Sequence, residues 1–210
     1  MTESNSPKLK RDRIISALLI SLLVILVLAL FLKFIVVEPN YVSGESMMPN
    51  FTDGEITWVY KLAKPQRGDV VVFYRNDVNK FLGEFSFLTD KEKYERLIKR
   101  VVALEGDSLW TEQTADGNWL LVIKTADGEI LRENYYERNG KPAQFYDGAG
   151  KLTETAYLYY PGSYLKDATK YEPYVVPQGC MFVLGDNRGN SVDSRMIGAV
   201  PLSRVCGKVL

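Results

Sequence analysis

The sequence predicts a mainly β protein: an antiparallel β-sheet domain carrying a hairpin-rich inserted subdomain, preceded by one N-terminal transmembrane helix. Three observations predict it. Ile14 to Leu32 runs without a single charge. Beyond it the apolar segments are short, rich in Val, Ile, Tyr and Phe, and separated by turn residues, which is the pattern of strands. Finally, Thr114-Ala115-Asp116-Gly117 recurs as Thr125-Ala126-Asp127-Gly128, and Asp-Gly is a favoured hairpin turn. The recurrence marks a repeated turn in a meander, and 210 residues suit one ordinary domain plus an appendage.

The N-terminal element comes first. Within Ile14–Leu32 only Ser16 and Ser21 are polar, and as a helix the run would extend roughly 28 Å, about the thickness of a hydrocarbon core. Lys33 can snorkel to the interface, and apolar character resumes in Phe34-Ile35-Val36-Val37. Lys8, Lys10, Arg11 and Arg13 precede the run, so the N-terminus is expected in the cytoplasm and the rest translocated. The expected division is a cytoplasmic tail at 1–13, an anchor at 14–37 and an extracytoplasmic domain at 38–210. A cleavable secretory signal would have a shorter core followed by a small-x-small site; Val27-Leu28-Ala29 fits only nominally, inside the run. A buried core helix would show a polar face, and this run has none.

Candidate strands then follow at Glu55–Tyr60, Asp69–Tyr74, Leu97–Leu104, Trp119–Lys124, Ile130–Glu133, Met181–Leu184 and Ile197–Val200. Residues from about 108 to 176 are rich in Tyr, Gly, Asp and Lys, read as the inserted subdomain, and hold no catalytic constellation. A shorter insertion, Asn76–Tyr94, contains Phe81-Leu82-Gly83-Glu84-Phe85-Ser86-Phe87-Leu88. Its aromatics are expected to fill a small satellite core; the competing reading is a patch dipping into the bilayer interface. Cys180 and Cys206 are the only cysteines, and the sequence leaves open whether they pair or remain buried thiols.

Charge excludes one class of function. With 26 basic and 26 acidic residues, no global attraction to nucleic acid is implied. The chain also has no histidine, so a nucleophilic serine would need another base. The candidate serine is Ser46, in Ser43-Gly44-Glu45-Ser46-Met47-Met48-Pro49. Gly44 permits unusual backbone angles beside it, and amides in such a turn can form an oxyanion hole. An ordinary surface Ser-Gly turn is the plainer explanation, but exposed loops rarely set two Met side by side.

The best-placed base is Lys99. A free lysine has a pKa near ~10.4, and lowering it by ~2–3 units costs about 3–4 kcal/mol, usually through burial. On a strand the same-face neighbours of Lys99 are Leu97 and Val101, both apolar, while Arg100 faces the other way and can pair with a carboxylate. Standing alone, Lys99-Arg100 would read as a solvated pair on an edge strand. Two further blocks accompany it. Arg67-Gly68-Asp69-Val70-Val71-Val72-Phe73 is a tight turn feeding a buried strand, which argues against an integrin-type use of Arg-Gly-Asp. Gly185-Asp186-Asn187-Arg188-Gly189-Asn190-Ser191-Val192-Asp193-Ser194-Arg195 comes after an apolar strand and is either a plain Asx-rich loop or a polar scaffold around a buried amine. Within it Asp193 and Arg195 can form an ion pair, and Ser191 can hydrogen-bond Lys99.

Taken in order, these blocks resemble bacterial type I signal peptidases, membrane-bound serine peptidases that remove signal peptides from exported preproteins. The resemblance also takes in Phe34-Ile35-Val36-Val37-Glu38-Pro39 and Gly106-Asp107, and covers most of the chain outside the inserted segments. It implies Ser46 as nucleophile and Lys99 as general base. Ser191 would orient Lys99, with Arg100, Asp186, Asp193 and Arg195 in support. The Ser46 amide would serve the oxyanion hole; Gly44 stands where some members add a serine hydroxyl, as in the Gram-positive-type pattern. Asn50 replaces the usual Thr and touches no implied catalytic role. Val42, Met47 and Ile98 are expected walls of a pocket for small substrate residues. The resemblance further implies a single-pass protein of the bacterial cytoplasmic membrane, with preproteins and lipid as partners, a monomer, and no cofactor, metal or nucleic acid. A specialised pilin or conjugation peptidase and a non-catalytic assembly chaperone are the competing functions. A self-cleaving repressor-type peptidase would carry a DNA-binding helix pair in place of the anchor.

Overall fold

The computed structural model describes residues 7–77, 95–132, 137–138, 141–147 and 150–210. The Phe81–Leu88 run and its two readings lie outside the described residues. The chain divides into two compact units, Met1–Glu38 and Pro39–Leu210.

The first unit is the helix α1 (Pro7–Ile35). Within it Lys10–Leu32 is, among the described residues, the one helical stretch long and apolar enough to cross a membrane, and none of it is buried. Leu18, Leu22 and Ile25 are each more than half exposed. A helix apolar on every side and unburied along its span fits a transmembrane anchor.

The second unit is built on strands. β1 (Val37–Tyr41), whose first two residues are the last of the first unit, β2 (Ile56–Tyr60), β3 (Val70–Tyr74) and β4 (Arg96–Leu104) open it. β5 (Ser108–Gln113), β6 (Trp119–Lys124) and β7 (Ile130–Arg132) form the expected meander. Its two turns are alike: Gly117 N–H donates to Thr114 O and Gly128 N–H to Thr125 O, each glycine at positive φ. Short strands come next: β8 (Glu137–Arg138), β9 (Lys141–Pro142), β10 (Phe145–Tyr146), β11 (Leu152–Thr153), β12 (Tyr157–Leu158) and β13 (Tyr174–Val175). β14 (Cys180–Leu184), α2 (Ser194–Ile197), β15 (Val200–Pro201) and β16 (Val205–Val209) close the chain.

The main sheet has seven strands in the order β1-β2-β16-β3-β4-β14-β15, and a second sheet runs β12-β6-β5-β13 with β7 beside β6. β3 is buried at every position: Val70, Val72 and Tyr74 join one apolar cluster while Val71 and Phe73 join another. A third cluster contains Val102, Ala103, Phe182 and Leu184 of β4 and β14 together with Leu109, Leu121, Ile123, Phe145 and Leu158 of the inserted segment. The inserted subdomain is therefore packed on the main sheet through a shared core.

One expected strand is corrected. Ile197–Val200 is not continuous: Ser194–Ile197 is a single helical turn. Asp193 caps it, its side chain accepting from Arg195 N–H and its carbonyl from Met196 and Ile197 N–H, and Gly198 at φ +77° ends it. A capping carboxylate and a closing glycine outweigh the β preference of an isolated Ile-x-x-Val pattern. The cysteines are resolved as two free thiols, on β14 and β16, with β3 and β4 between those strands.

Candidate active site

Ser46 lies in the loop between β1 and β2. Val42, Met47 and Phe51 are buried on either side of it, so the loop is pinned by apolar anchors while Ser46 itself stays half-buried. Phe51 N–H donates to Met47 O, Met48 N–H to Glu45 O, and Gly44 N–H to the Asp53 carboxylate. Gly44 takes φ +83°, which a side chain would resist. Val42, Met47 and Ile98 share one cluster with Phe51, Val59 and Val70, so all three lie in packed core beneath the loop.

Lys99 and Arg100 are not a solvated edge pair. β4 lies between β3 and β14, and the two side chains are 3% and 1% exposed. Lys99 stands in register with Val71, and Val71 and Val101 share an apolar cluster against which Leu97 packs. The Lys99 Nζ is 2.7 Å from Ser46 Oγ and 2.8 Å from the Ile98 carbonyl oxygen. Burial pushes its pKa down to about 8, against the opposing pull of the Asp193, Asp186 and Glu95 charges. Desolvation wins because three carboxylates act at longer range than the apolar groups stripping water from the amine.

The loop after β14 supplies the surrounding charge. Arg100 forks onto Asp186, Nε to Oδ1 at 2.8 Å and Nη2 to Oδ2 at 2.6 Å, and gives Nη1 to Gly68 O. Arg195 forks onto Asp193 at 2.9 and 2.8 Å and lies over the Tyr160 ring at 4.8 Å. Burial would raise the pKa of Asp193, but the hydrogen bonds and charge of Arg195 with the Gly185 amide hold it below the ordinary carboxylate range. Both pairs are almost wholly buried, a setting in which each charge depends on its partner.

The same loop grips the Ser46 loop. Asn187 N–H donates to Ser46 O at 3.0 Å and its amide to Glu45 O. Gly185 marks the closest approach: a Cβ there would lie 2.2 Å from Ser191 Oγ and 2.5 Å from Ser46 O. Ser191 Oγ is thus inside the site, where it helps lower the Asp193 pKa although it makes no hydrogen bond of ordinary geometry; the Lys99 amine is held by Ser46 and the Ile98 carbonyl. In Arg67-Gly68-Asp69, Arg67 pairs with Asp107 at 2.6 Å and Asp69 with Lys208 at 2.7 Å, so that string is committed to internal contacts.

Several residues absent from the sequence-based site also belong to it. Gly185, Asn187 and Arg188 are the first group, and Arg188 is buried with Nε on Gly185 O and its guanidinium over Phe145 at 5.1 Å. Only an arginine inside an apolar neighbourhood could have signalled this, and that neighbourhood is assembled from distant sequence. Asn50 is the other. It bonds both Asp186 and the main chain of Gln144, so a residue given no catalytic role in the sequence reading touches one of the support residues. No cluster of three or more His, Cys, Asp or Glu side chains able to hold a metal occurs among the described residues.

Residues 15–210 match the family described as signal peptidase, peptidase S26. The chain belongs to that family. A probable signal peptidase I-1 of Synechocystis is 32% identical over 193 residues, 90% of this chain and 77% of that protein. A signal peptidase I of Bacillus licheniformis is 31% identical, over 89% of this chain and 82% of its own. A crystal structure of a signal peptidase I from Enterococcus faecalis is 26% identical, covering 70% of this chain and 97% of that one with a TM-score of 0.37. Family membership makes the chain a serine peptidase and hence a hydrolase, of the type that processes signal peptides.

Proposed function

We propose that this protein is a membrane-anchored endopeptidase that removes N-terminal signal peptides from exported preproteins by serine–lysine acyl-enzyme catalysis. The observation that carries the reading is the 2.7 Å approach of the buried Lys99 amine to the Ser46 hydroxyl. In its charged form Nζ donates to Oγ; once neutral, its lone pair can take the hydroxyl proton. With a pKa of about 8, roughly one amine in ten is neutral at pH 7, against well under one in a thousand for an ordinary lysine.

The steps follow from those positions. Ser46 Oγ attacks the scissile carbonyl as its proton passes to Lys99, and the protonated amine then delivers that proton to the departing amino group. Water activated by the same amine releases the acyl group from Ser46. The Ser46 amide would face the oxyanion, and Gly44 offers no side-chain hydroxyl to assist it. Buried Arg100–Asp186 and Arg195–Asp193 pairs hold the loop that brackets the amine. Small residues before the cut, a cytoplasmic N-terminus and the domain boundaries 1–13, 14–37 and 38–210 belong to the same proposal. The basic flank of the apolar run supports the orientation.

The test is incubation with a preprotein in detergent or vesicles, followed by N-terminal sequencing of the product. Ser46→Ala and Lys99→Ala are each expected to abolish processing, by a factor of about 10⁴ or more, with circular dichroism unchanged. Substantial cleavage by purified Lys99→Ala protein would overturn the mechanism.

A further inference from the structure

Asn50 joins three parts of the molecule that the sequence keeps far apart. Its Nδ2 donates to Gln144 O at 2.8 Å and to Asp186 Oδ2 at 2.8 Å, and its Oδ1 accepts from Gln144 N–H at 3.0 Å. Both amide hydrogens and the carbonyl are therefore used. The pairing with Gln144 copies the two-bond exchange of neighbouring strands, with a side-chain amide standing in for a peptide group.

Each end of this bridge is fixed. Asn50 is followed by the buried Phe51, whose N–H bonds Met47 O, so its backbone moves with the Ser46 loop. Gln144 lies between Ala143 and Phe145, 2% and 1% exposed and both in the core of the inserted subdomain. Asp186 carries the Arg100 fork, and Arg100 is the residue after Lys99. The charged groups acting around the amine are Asp186 and Asp193 from the loop and Glu95 ahead of β4, with Arg100 and Arg195 paired to the first two.

No other side chain of similar size satisfies these three contacts. Threonine has a single hydroxyl proton, aspartate has no donor, and glutamine is longer by one methylene. We propose that Asn50 is a positioning residue for the peptidase reaction: it ties the inserted subdomain to the nucleophile loop and fixes the Asp186 carboxylate relative to Lys99. This assignment rests on the serine–lysine reading above. It also gives the inserted subdomain a part in the chemistry although it contributes no reacting group.

The experiment uses the full-length protein in detergent with a preprotein substrate, comparing wild type, Asn50→Ala, Asn50→Thr and Asn50→Asp for kcat, KM and the pH midpoint of kcat. Asn50→Ala should lower kcat by ~10–100-fold, the size of effect that comes from misplacing reacting groups by about 1 Å, with KM within about threefold. Asn50→Thr should recover part of that loss by restoring one donor to Asp186. Asn50→Asp has the same shape, loses both donations and sets a second carboxylate beside Asp186. Added negative charge favours the protonated amine, so the midpoint should move to higher pH, by ~1 unit.

A merely structural stitch would lower the melting temperature of these variants and leave the kcat and midpoint of the folded enzyme in place. Should Asn50→Ala fail to fold, the isosteric Asn50→Asp variant decides. Wild-type kcat and an unmoved midpoint in the Asp variant would overturn the assignment. An inert wild-type protein would instead sink the peptidase reading and this assignment with it, a result distinct from wild-type-like variants of an active enzyme.

Discussion

Lys99 is costly to the folded state and, in the proposed mechanism, useful for the same reason. The folded protein holds its pKa at about 8, below the ordinary 10.5, so below pH 8 the amine is charged in both states and burial opposes folding in full. Between about pH 8 and 10.5 the unfolded chain retains a proton that the folded one has released, and stability rises with pH. Above that window the penalty is gone. A downward shift of this size corresponds to about 3 kcal/mol, so Lys99→Met should stabilise the protein by about 2–3 kcal/mol at pH 7 and by much less at pH 11. Urea unfolding at the two pH values checks this, and an equal gain at both would contradict it. Under the proposed serine–lysine mechanism the wild-type kcat should climb through an apparent pKa near 8, because only a neutral amine could accept the Ser46 proton; a rate flat from pH 6 to 11 would be inconsistent. On that proposal function is opposed to stability at one side chain.

At the scale of elements, the site depends on how closely two loops approach, and glycine sets that distance. The register of β14 against β4 shifts between Phe182 and Val183; such irregularities bend a strand and re-aim the residues beyond them. Those residues include Gly185-Asp186, where the backbone meets Ser46 O and Ser191 Oγ. Gly185→Ala would force a methyl to 2.5 Å from a backbone oxygen, which cannot yield as a flexible side chain could. The expected result is a folded protein with kcat lowered ~100-fold or more and KM less affected, measured on a soluble peptide. Sequence pattern located the strands that bury apolar runs, such as Val70–Tyr74 and Trp119–Lys124, and the flanking blocks singled out Ser46 and Lys99, whose side chains the fold brings to 2.7 Å. It did not register Val205–Val209, because Gly207 interrupts the pattern. That glycine is required by packing: a Cβ there would come within 2.5 Å of Tyr60 O. Likewise Ile197 read as strand because the Asp193 cap that turns it into α2 is a local hydrogen bond invisible to periodicity. Asn50, Gly185 and Arg188 matter through contacts between distant parts of the chain, across 94 to 136 residues in the case of Asn50, which no local window can contain.

For the whole molecule, the inserted subdomain and the apolar helix α1 are expected to contribute in different ways. The inserted segment supplies no reacting side chain in the proposed mechanism, yet the Gln144 main chain, the Phe145 ring under Arg188 and the Tyr160 ring on Arg195 all bear on Asn50 or on the loop after β14. Its contacts are made by peptide groups and ring faces, which explains why a search for catalytic constellations passes over it. The apolar helix α1 belongs to a separate compact unit. Its contribution is then expected to be proximity: confining enzyme and signal peptide to one bilayer raises their effective concentration without adding a contact. Removal of residues 2–35 should therefore leave kcat/KM on a short soluble peptide within about threefold, while processing of a preprotein inserted in vesicles falls by ~10²-fold or more. Equal losses on both substrates would mean that α1 supports the fold of the domain itself, and a melting temperature measured on the truncated chain separates that outcome from a loss of proximity.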